Sequence, residues 1–403
     1  MMADPKLRDI LDKVTNSGRF GDGVKFIDLI PSVVEGEDHF ASAVIFAEVK
    51  LKNGSCDKLV KVVIKQQQQN AFVRDMMNTD TQFYNEALMY NEILPFMDKN
   101  GIVEDSFPKS IYCNATLGDN YEDDIMIFED LKQYGYKLTA EKLFLDFDHC
   151  AVALKKLGRF HALSYLKKQE NLERFLSVVG KLKETRWDNN QRDDSNQFLQ
   201  MSVQRGMLPL MEEGGDHKEI LEEIMSHALE DPHSLMRGLC EPEEPVAVLC
   251  HGDFCRNNMV FRYDADGKPE DVRFFDMATA RYASPAIDLS FFLFLNTSAE
   301  LRRARWDELL QVYHDSLVSA LPECRVPSLD TVRLEVTRRA FYGYVLCSFF
   351  LPMMLDPGSK TELDDFASFT PAEMEASVRS KGGQQATDYV TDIVRDLIRM
   401  KSL

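Results

Sequence analysis

The run His251-Gly252-Asp253-Phe254-Cys255-Arg256-Asn257-Asn258, followed 18 residues after Asn258 by Asp276, carries the residue types of a phosphate-handling centre. Asp253 and Asn258 lie five residues apart on one short loop, from which both side chains can be aimed into a single cleft. Carboxylate and amide oxygens are hard ligands suited to Mg²⁺, which takes one or two protein carboxylates together with substrate phosphates. With Asn258 and Asp276 on the metal, Asp253 would orient or deprotonate an attacking hydroxyl. A loop Asp, an Asn five residues on and a later strand-end Asp form the layout of kinase-type phosphoryl transfer. Solvated hairpins also collect Asp and Asn in turns, as Asp266-Gly267 does. Turn chemistry, however, does not require strands on both sides feeding His-Gly-Asp and Asp276.

The first third of the chain supplies independent pieces. Lys65 ends an apolar strand, where a lone cation needs an anionic partner, and Glu86 on the following helix can be that partner. Lys65 would then be placed to hold the α- and β-phosphates of a nucleotide. The stretch Gly36-Glu37-Asp38-His39-Phe40-Ala41-Ser42 precedes a strand and is the candidate phosphate-covering turn, although it is not G-x-G-x-x-G. The Walker A pattern G-x-x-x-x-G-K-[ST] is absent, which argues against a P-loop fold.

These residues need a sheet and a helical scaffold to hold them. Ala43–Leu51 and Leu59–Lys65 are β-branched runs joined by Lys52-Asn53-Gly54-Ser55, a hairpin signature. Thr81–Phe96 has helical spacing and is expected to close at Pro95. Short strands are expected around Ser110–Asn114 and Ile125–Phe128, and a lobe boundary at Glu129-Asp130-Leu131. The remainder reads as mostly helical: a long amphipathic helix over Ala140–Lys168, then a polar, acidic stretch over Lys183–Glu244 with helices near Phe198–Met211 and Lys218–Leu229. Strands at Val246–Cys250, Met259–Tyr263 and Val272–Phe275 then bracket the candidate loop, and Ser284-Pro285 should open a helix with Ser as N-cap. The expected class is α+β, with a small N-terminal β-sheet lobe over 1–131 and a larger, mainly helical lobe over 132–403.

With 403 residues, the chain is long enough for two lobes. Its 47 basic against 66 acidic residues give a net charge of −19, which repels phosphate backbones and anionic lipid. Nucleic-acid and membrane-surface binding are therefore not expected. The N-terminus lacks the apolar h-region of a secretory signal. The most apolar stretch, Ala340–Leu355, is too short to span a bilayer and contains Pro352, so it reads as a buried helix with Phe349, Phe350, Met353 and Met354 in the core. Eight scattered cysteines without a C-x-x-C pair fit free thiols and a cytoplasmic location. No feature sets an oligomeric state.

The sequence resembles the ecdysteroid kinase-like branch of the choline-kinase and aminoglycoside-phosphotransferase superfamily. Phe83–Pro95 (FYNEALMYNEILP), Ile127–Lys132 (IFEDLK), Leu157–Tyr165 (LGRFHALSY), His251–Asn258 (HGDFCRNN) and Phe275–Leu289 (FDMATARYASPAIDL) carry the resemblance. It implies a protein-kinase-like bilobal fold and ATP- and Mg²⁺-dependent transfer of the γ-phosphate to a small-molecule hydroxyl. Asp253 matches the catalytic aspartate, Asn258 and Asp276 the metal ligands, and Lys65 and Glu86 the phosphate-binding Lys and its ion-pair Glu. Glu129, Asp130 and Leu131 match the hinge that binds adenine through backbone groups, and Asp288 matches a carboxylate bracing the catalytic loop. Cys255 stands where the family often has Trp, and Asp276-Met277-Ala278 where it has Asp-Phe-Gln. His161 and His251 are expected to pack or to fix the loop rather than to move protons. The expected acceptor is an ecdysteroid or another hydroxylated lipophile or xenobiotic. A cationic acceptor such as choline or an aminoglycoside, and a catalytically silent nucleotide- or lipophile-binding protein, are the alternatives.

Overall fold

Alternating apolar residues build the first sheet. In the computed structural model, which describes all residues except 1–4, 33–41, 55, 188–192, 216, 228–229, 357–369 and 403, five strands form an antiparallel sheet. They are β1 (Val24–Pro31), β2 (Ser42–Asn53), β3 (Cys56–Gln67), β4 (Ser110–Asn114) and β5 (Ile125–Glu129), in the order β1-β2-β3-β5-β4. Ala47, Val49 and Leu51 of β2 and Val62 and Ile64 of β3 point to one face, as the two-residue period of a strand requires. There they pack with Leu7, Leu11 and Val14 of the Pro5–Asn16 helix. The same period turns Lys65, next to Ile64, to the opposite face. The hairpin expected from Lys52–Ser55 is present, with Asn53 opposite Cys56, while Ser55 itself lies outside the described residues.

The helix carrying Glu86 differs from its expected form. Thr79–Leu88 is α-helical, Met89–Ile93 is a wider π turn, and Leu94–Met97 continues helically through Pro95. The Leu94 N–H donates to Met89 O, five residues back, and this widened turn accommodates the proline that was expected to end the helix.

Contacts within the chain define two compact units, Met1–Lys137 with Arg273–Ala278, and Leu138–Val272 with Thr279–Leu403. A single division at 131/132 would put 273–278 in the second unit; the structure groups this segment with the first. Its anchors are visible there: Arg273 donates to the carbonyls of Glu104 and Phe107, and Phe274 meets Phe107 edge-on at 6.1 Å.

The second unit is mainly helical, and the class is α+β, the composition of a kinase-like bilobal fold. The helical segment Phe147–Val179 is capped at Asp146 rather than beginning at Ala140, and it breaks at Asn171, whose φ of −165° is not helical. The polar segment contains helices Asp193–Glu213 and Lys218–His227, close to expectation. Ala286–Asn296 is buried on all sides and crosses Leu329–Leu355 so closely that a Cβ on Gly343 would fall 2.6 Å from the Ser290 carbonyl carbon. The N-cap of this helix is Pro285; Ser284 instead donates its hydroxyl to Glu335 and accepts the Ala286 N–H. Two short strand pairs complete the unit: β6 (Val248–Cys250) with β9 (Arg281–Ala283), and β7 (Met259–Tyr263) with β8 (Pro269–Phe274). Among the described residues four helices follow the Ala286–Asn296 helix: Ala299–Ala320, Leu329–Leu355, Pro371–Ser380 and Gly383–Met400. No helix among the described residues is long and apolar enough to cross a membrane, and all eight cysteines are free.

Candidate active site

In the first unit Lys65 is held between two carboxylates. Its Nζ lies 2.6 Å from Glu86 Oε2 and 2.9 Å from Asp276 Oδ1. Lys65 and Glu86 are nearly enclosed, whereas the Asp276 side chain is 39% exposed and so is reachable by a ligand. Burial alone would discharge the ammonium, but Asp276 and Glu86 outweigh it and raise the Lys65 pKa, so the cation is permanent at physiological pH. Burial pushes Glu86 up to about 7, against the pull of Lys65 and of the Met277 N–H. Asp276 has a φ of 65°, in the left-handed region, which Asp tolerates better than most residues. That conformation ends the strand and lets the next N–H, that of Met277, turn to Glu86.

The loop after β6 belongs to the second unit, and Asp288 shapes it. One carboxylate oxygen accepts the His251 N–H at 2.7 Å and the other the Gly252 N–H at 2.8 Å. His161 reaches the same carboxylate at 3.2 Å and turns its other ring nitrogen to Tyr313 Oη at 2.9 Å, a packed role. His251 Nδ1 accepts the Asp253 N–H at 3.3 Å and thus fixes the loop. Gly252 has φ +83°, and a Cβ there would sit 1.9 Å from Thr279 O, so glycine is the residue the turn can hold. His161, Cys250 and Asp288 come close enough to suggest a metal cluster, but their polar atoms are already engaged by the backbone and by one another.

Asn258 donates Nδ2 to the backbone carbonyl of Asp253 and to its Oδ2, both at 2.9 Å. With Nδ2 so engaged, Oδ1 is the amide atom left to serve as a hard ligand. Asn258 Oδ1 in the second unit and the exposed Asp276 carboxylate in the first are each a hard oxygen donor of the kind Mg²⁺ takes.

One residue at this loop escaped the sequence reading. Arg186 Nη2 lies 2.9 Å from Asp253 Oδ1. Its position is set by Glu184, whose Oε1 accepts the N–H groups of Thr185, Arg186 and Trp187, while the carboxylate pairs with Arg281 at 3.2 Å. Arg281 faces Cys250 across the β6–β9 pair, at the root of the same loop. The chain of contacts Arg281–Glu184–Arg186–Asp253 thus closes on itself. Within the polar 183–244 stretch, the Glu-Thr-Arg-Trp run was its one sequence signal.

The remaining expected residues are placed as follows. The Glu129 N–H donates to Lys109 O and the Asp130 N–H to Lys61 O; Asp130 Oδ1 caps the short turn Leu131–Tyr134 by accepting the Lys132 N–H. Ser42 opens β2 opposite Gln67, and the rest of the expected phosphate-covering turn lies outside the described residues. Cys255 is buried, and burial raises its thiol pKa, so it acts as a small apolar residue there.

A five-stranded antiparallel sheet with a strand lysine paired to a helix glutamate, joined to a helical unit that braces an Asp-x-x-x-x-Asn loop, defines a kinase-like protein. The match to a family model is consistent with this. Residues 36–326 match the ecdysteroid kinase-like family, and the chain belongs to that family. No curated protein matches the chain significantly.

Proposed function

We propose that this chain is an ATP- and Mg²⁺-dependent small-molecule O-phosphotransferase that moves the γ-phosphate to a hydroxyl of an ecdysteroid or similar lipophilic acceptor. The observation that carries the reading is the Lys65 ammonium, kept charged between Glu86 and Asp276 within the family-matched span. Glu86 aims the ammonium and stops it from collapsing onto Asp276 alone, so it can meet the α/β-phosphates. Asn258 and Asp276 would hold Mg²⁺, which when bound neutralises charge on the transferring phosphoryl group. Asp253 orients the acceptor hydroxyl and takes its proton as the phosphoryl group arrives. Adenine would be read by backbone groups of the Glu129–Leu131 stretch other than the Glu129 and Asp130 N–H groups and the Asp130 and Leu131 carbonyls, which are engaged within the sheet and the following turn.

The test is an ATP–Mg²⁺ reaction against a panel of sterols and xenobiotics, with products read by mass. Acceptor-dependent phosphorylation is expected, and Asp253→Asn should reduce it at least about 10³-fold while its circular-dichroism spectrum shows the fold retained. Full turnover by Asp253→Asn would remove Asp253 from its role, and no product with any acceptor would refute the reading.

A further inference from the structure

Three buried hydrogen-bond donors in the second unit, one of them on the arginine that holds Asp253, have no partner among the described residues. They are Arg186 Nη1, Trp187 Nε1 and the Tyr342 hydroxyl. Trp187 and Tyr342 are 3% and 0% exposed, and burial raises the Tyr342 pKa, so its hydroxyl stays a donor. Buried donors without acceptors are destabilising, and a set of three that begins at the arginine paired with Asp253 calls for a ligand that accepts from them.

The surroundings define that ligand further. The Trp187 and Tyr342 rings lie 6.4 Å apart, and the Arg186 guanidinium lies 5.9 Å from the Phe350 ring. Tyr342 and Phe350 are eight residues apart on the Leu329–Leu355 helix and so share a face. This helix is buried from Arg339 through Ser348, but Phe349, Phe350, Met353 and Met354 are only half-buried, contrary to their expected core placement. An apolar wall therefore continues from the donors. Phe350 meets Phe349 at 4.7 Å and Phe291 at 5.6 Å with tilted rings, which extends the wall. Tyr342 and Phe350 lie beyond residue 326, outside the span shared with the family.

We propose that Arg186, Trp187 and Tyr342, with the Phe350 wall, form the acceptor subsite, built for an uncharged lipophile bearing several oxygens and hostile to a cationic alcohol. Ketone and hydroxyl oxygens accept from the three donors, while hydrocarbon lies against the aromatic wall. A quaternary ammonium would meet the fixed guanidinium of Arg186 at the aspartate it must approach, a like-charge clash that selects against it. Arg186 thus has two tasks, holding Asp253 with Nη2 and presenting Nη1 to the acceptor. The subsite rests on the phosphotransferase reading for its position beside Asp253, but its binding is measurable without turnover.

Trp187 and Trp306 are the two tryptophans of the chain, and Trp306 stacks on Phe294 in the helical core. A Trp306→Phe protein therefore reports on Trp187 alone. Ecdysone as the neutral probe should shift Trp187 emission and choline should not. Tyr342→Phe, which keeps the ring, should weaken ecdysone binding about tenfold, and in the kinase assay it should raise the acceptor KM by the same factor with the KM for ATP unchanged. Arg186→Met should weaken ecdysone binding too and relieve the exclusion of choline. Choline binding as tightly as ecdysone, no emission change with ecdysone, or unchanged affinity in Tyr342→Phe would each overturn the subsite. If these binding results hold while no acceptor is phosphorylated, the subsite stands and the phosphotransferase reading falls.

Discussion

Lys65 is the residue whose environment is most demanding. It is enclosed, charged and shared by two carboxylates, and removing it leaves Glu86 buried without a counter-ion. Breaking a buried pair from one side typically costs about 3–5 kcal/mol; here Glu86, already raised to about 7, must take up a proton to stay buried without its cation. Lys65→Met should therefore destabilise the protein by about 3 kcal/mol in urea unfolding at neutral pH. Lys65→Met combined with Glu86→Gln should recover most of that loss, since an amide needs no cation. If the double variant is no more stable than the single one, Glu86 is not the partner that matters. The pair was legible in the sequence because a lysine at the end of an apolar strand is anomalous and a following helix offered one suitable glutamate. Arg186 was not legible: its partner Asp253 is 67 residues away, and nothing in a polar, acidic stretch marks one arginine as inward-facing.

At the scale of elements, the β6–loop–β7 unit depends on supports from far along the chain: Asp288 from one helix, Arg281 from β9 and Glu184 from a segment without regular structure. Strands and helices came through from periodicity, including the β2–β3 hairpin and most helices of the second unit. The π turn before Pro95 and the Asp146 cap did not, because both are set by packing rather than by local pattern. Glu184 offers a pH test. Burial pushes its pKa up, but the Arg281 guanidinium and the N–H groups of Arg186, Trp187 and Thr185 more than reverse this and leave it below the usual value. A lowered folded-state pKa stabilises above the unfolded value, about 4.3, and that contribution disappears as pH falls through the folded value. Glu184→Gln should thus cost about 2 kcal/mol at pH 7, with the gap from the parent protein closing below about pH 4.5. A gap that does not narrow at all as the pH falls below about 4.3 would show that the carboxylate charge contributes nothing.

For the whole molecule, a net charge of −19 is a global repulsion that the local sites have to work against. Lys65 in the first unit and Arg186 and Arg281 in the second are buried or half-buried cations beside carboxylates, so an acidic surface coexists with local positive charge within each unit. Screening shortens the reach of surface charge from about 30 Å at 0.01 M salt to about 8 Å at 0.15 M. The melting temperature should therefore rise by a few degrees between these concentrations of NaCl, whereas the Lys65–Glu86 pair, being enclosed, should be little affected. A melting temperature that falls with salt would mean that attractive surface pairs outweigh the excess.

The segment Arg273–Ala278 belongs to the first unit although the chain reaches it only after residues 138–272. During synthesis the sheet can therefore form early, but Lys65 gains its second carboxylate, and Tyr136 its Arg273 neighbour at 5.6 Å, only once the ribosome has passed residue 278. At about 5–20 residues per second this is a wait on the order of ten seconds. Over that interval the nascent sheet carries Lys65 with Glu86 alone, so the unit that would grip a nucleotide is completed by a peptide made after much of the helical unit.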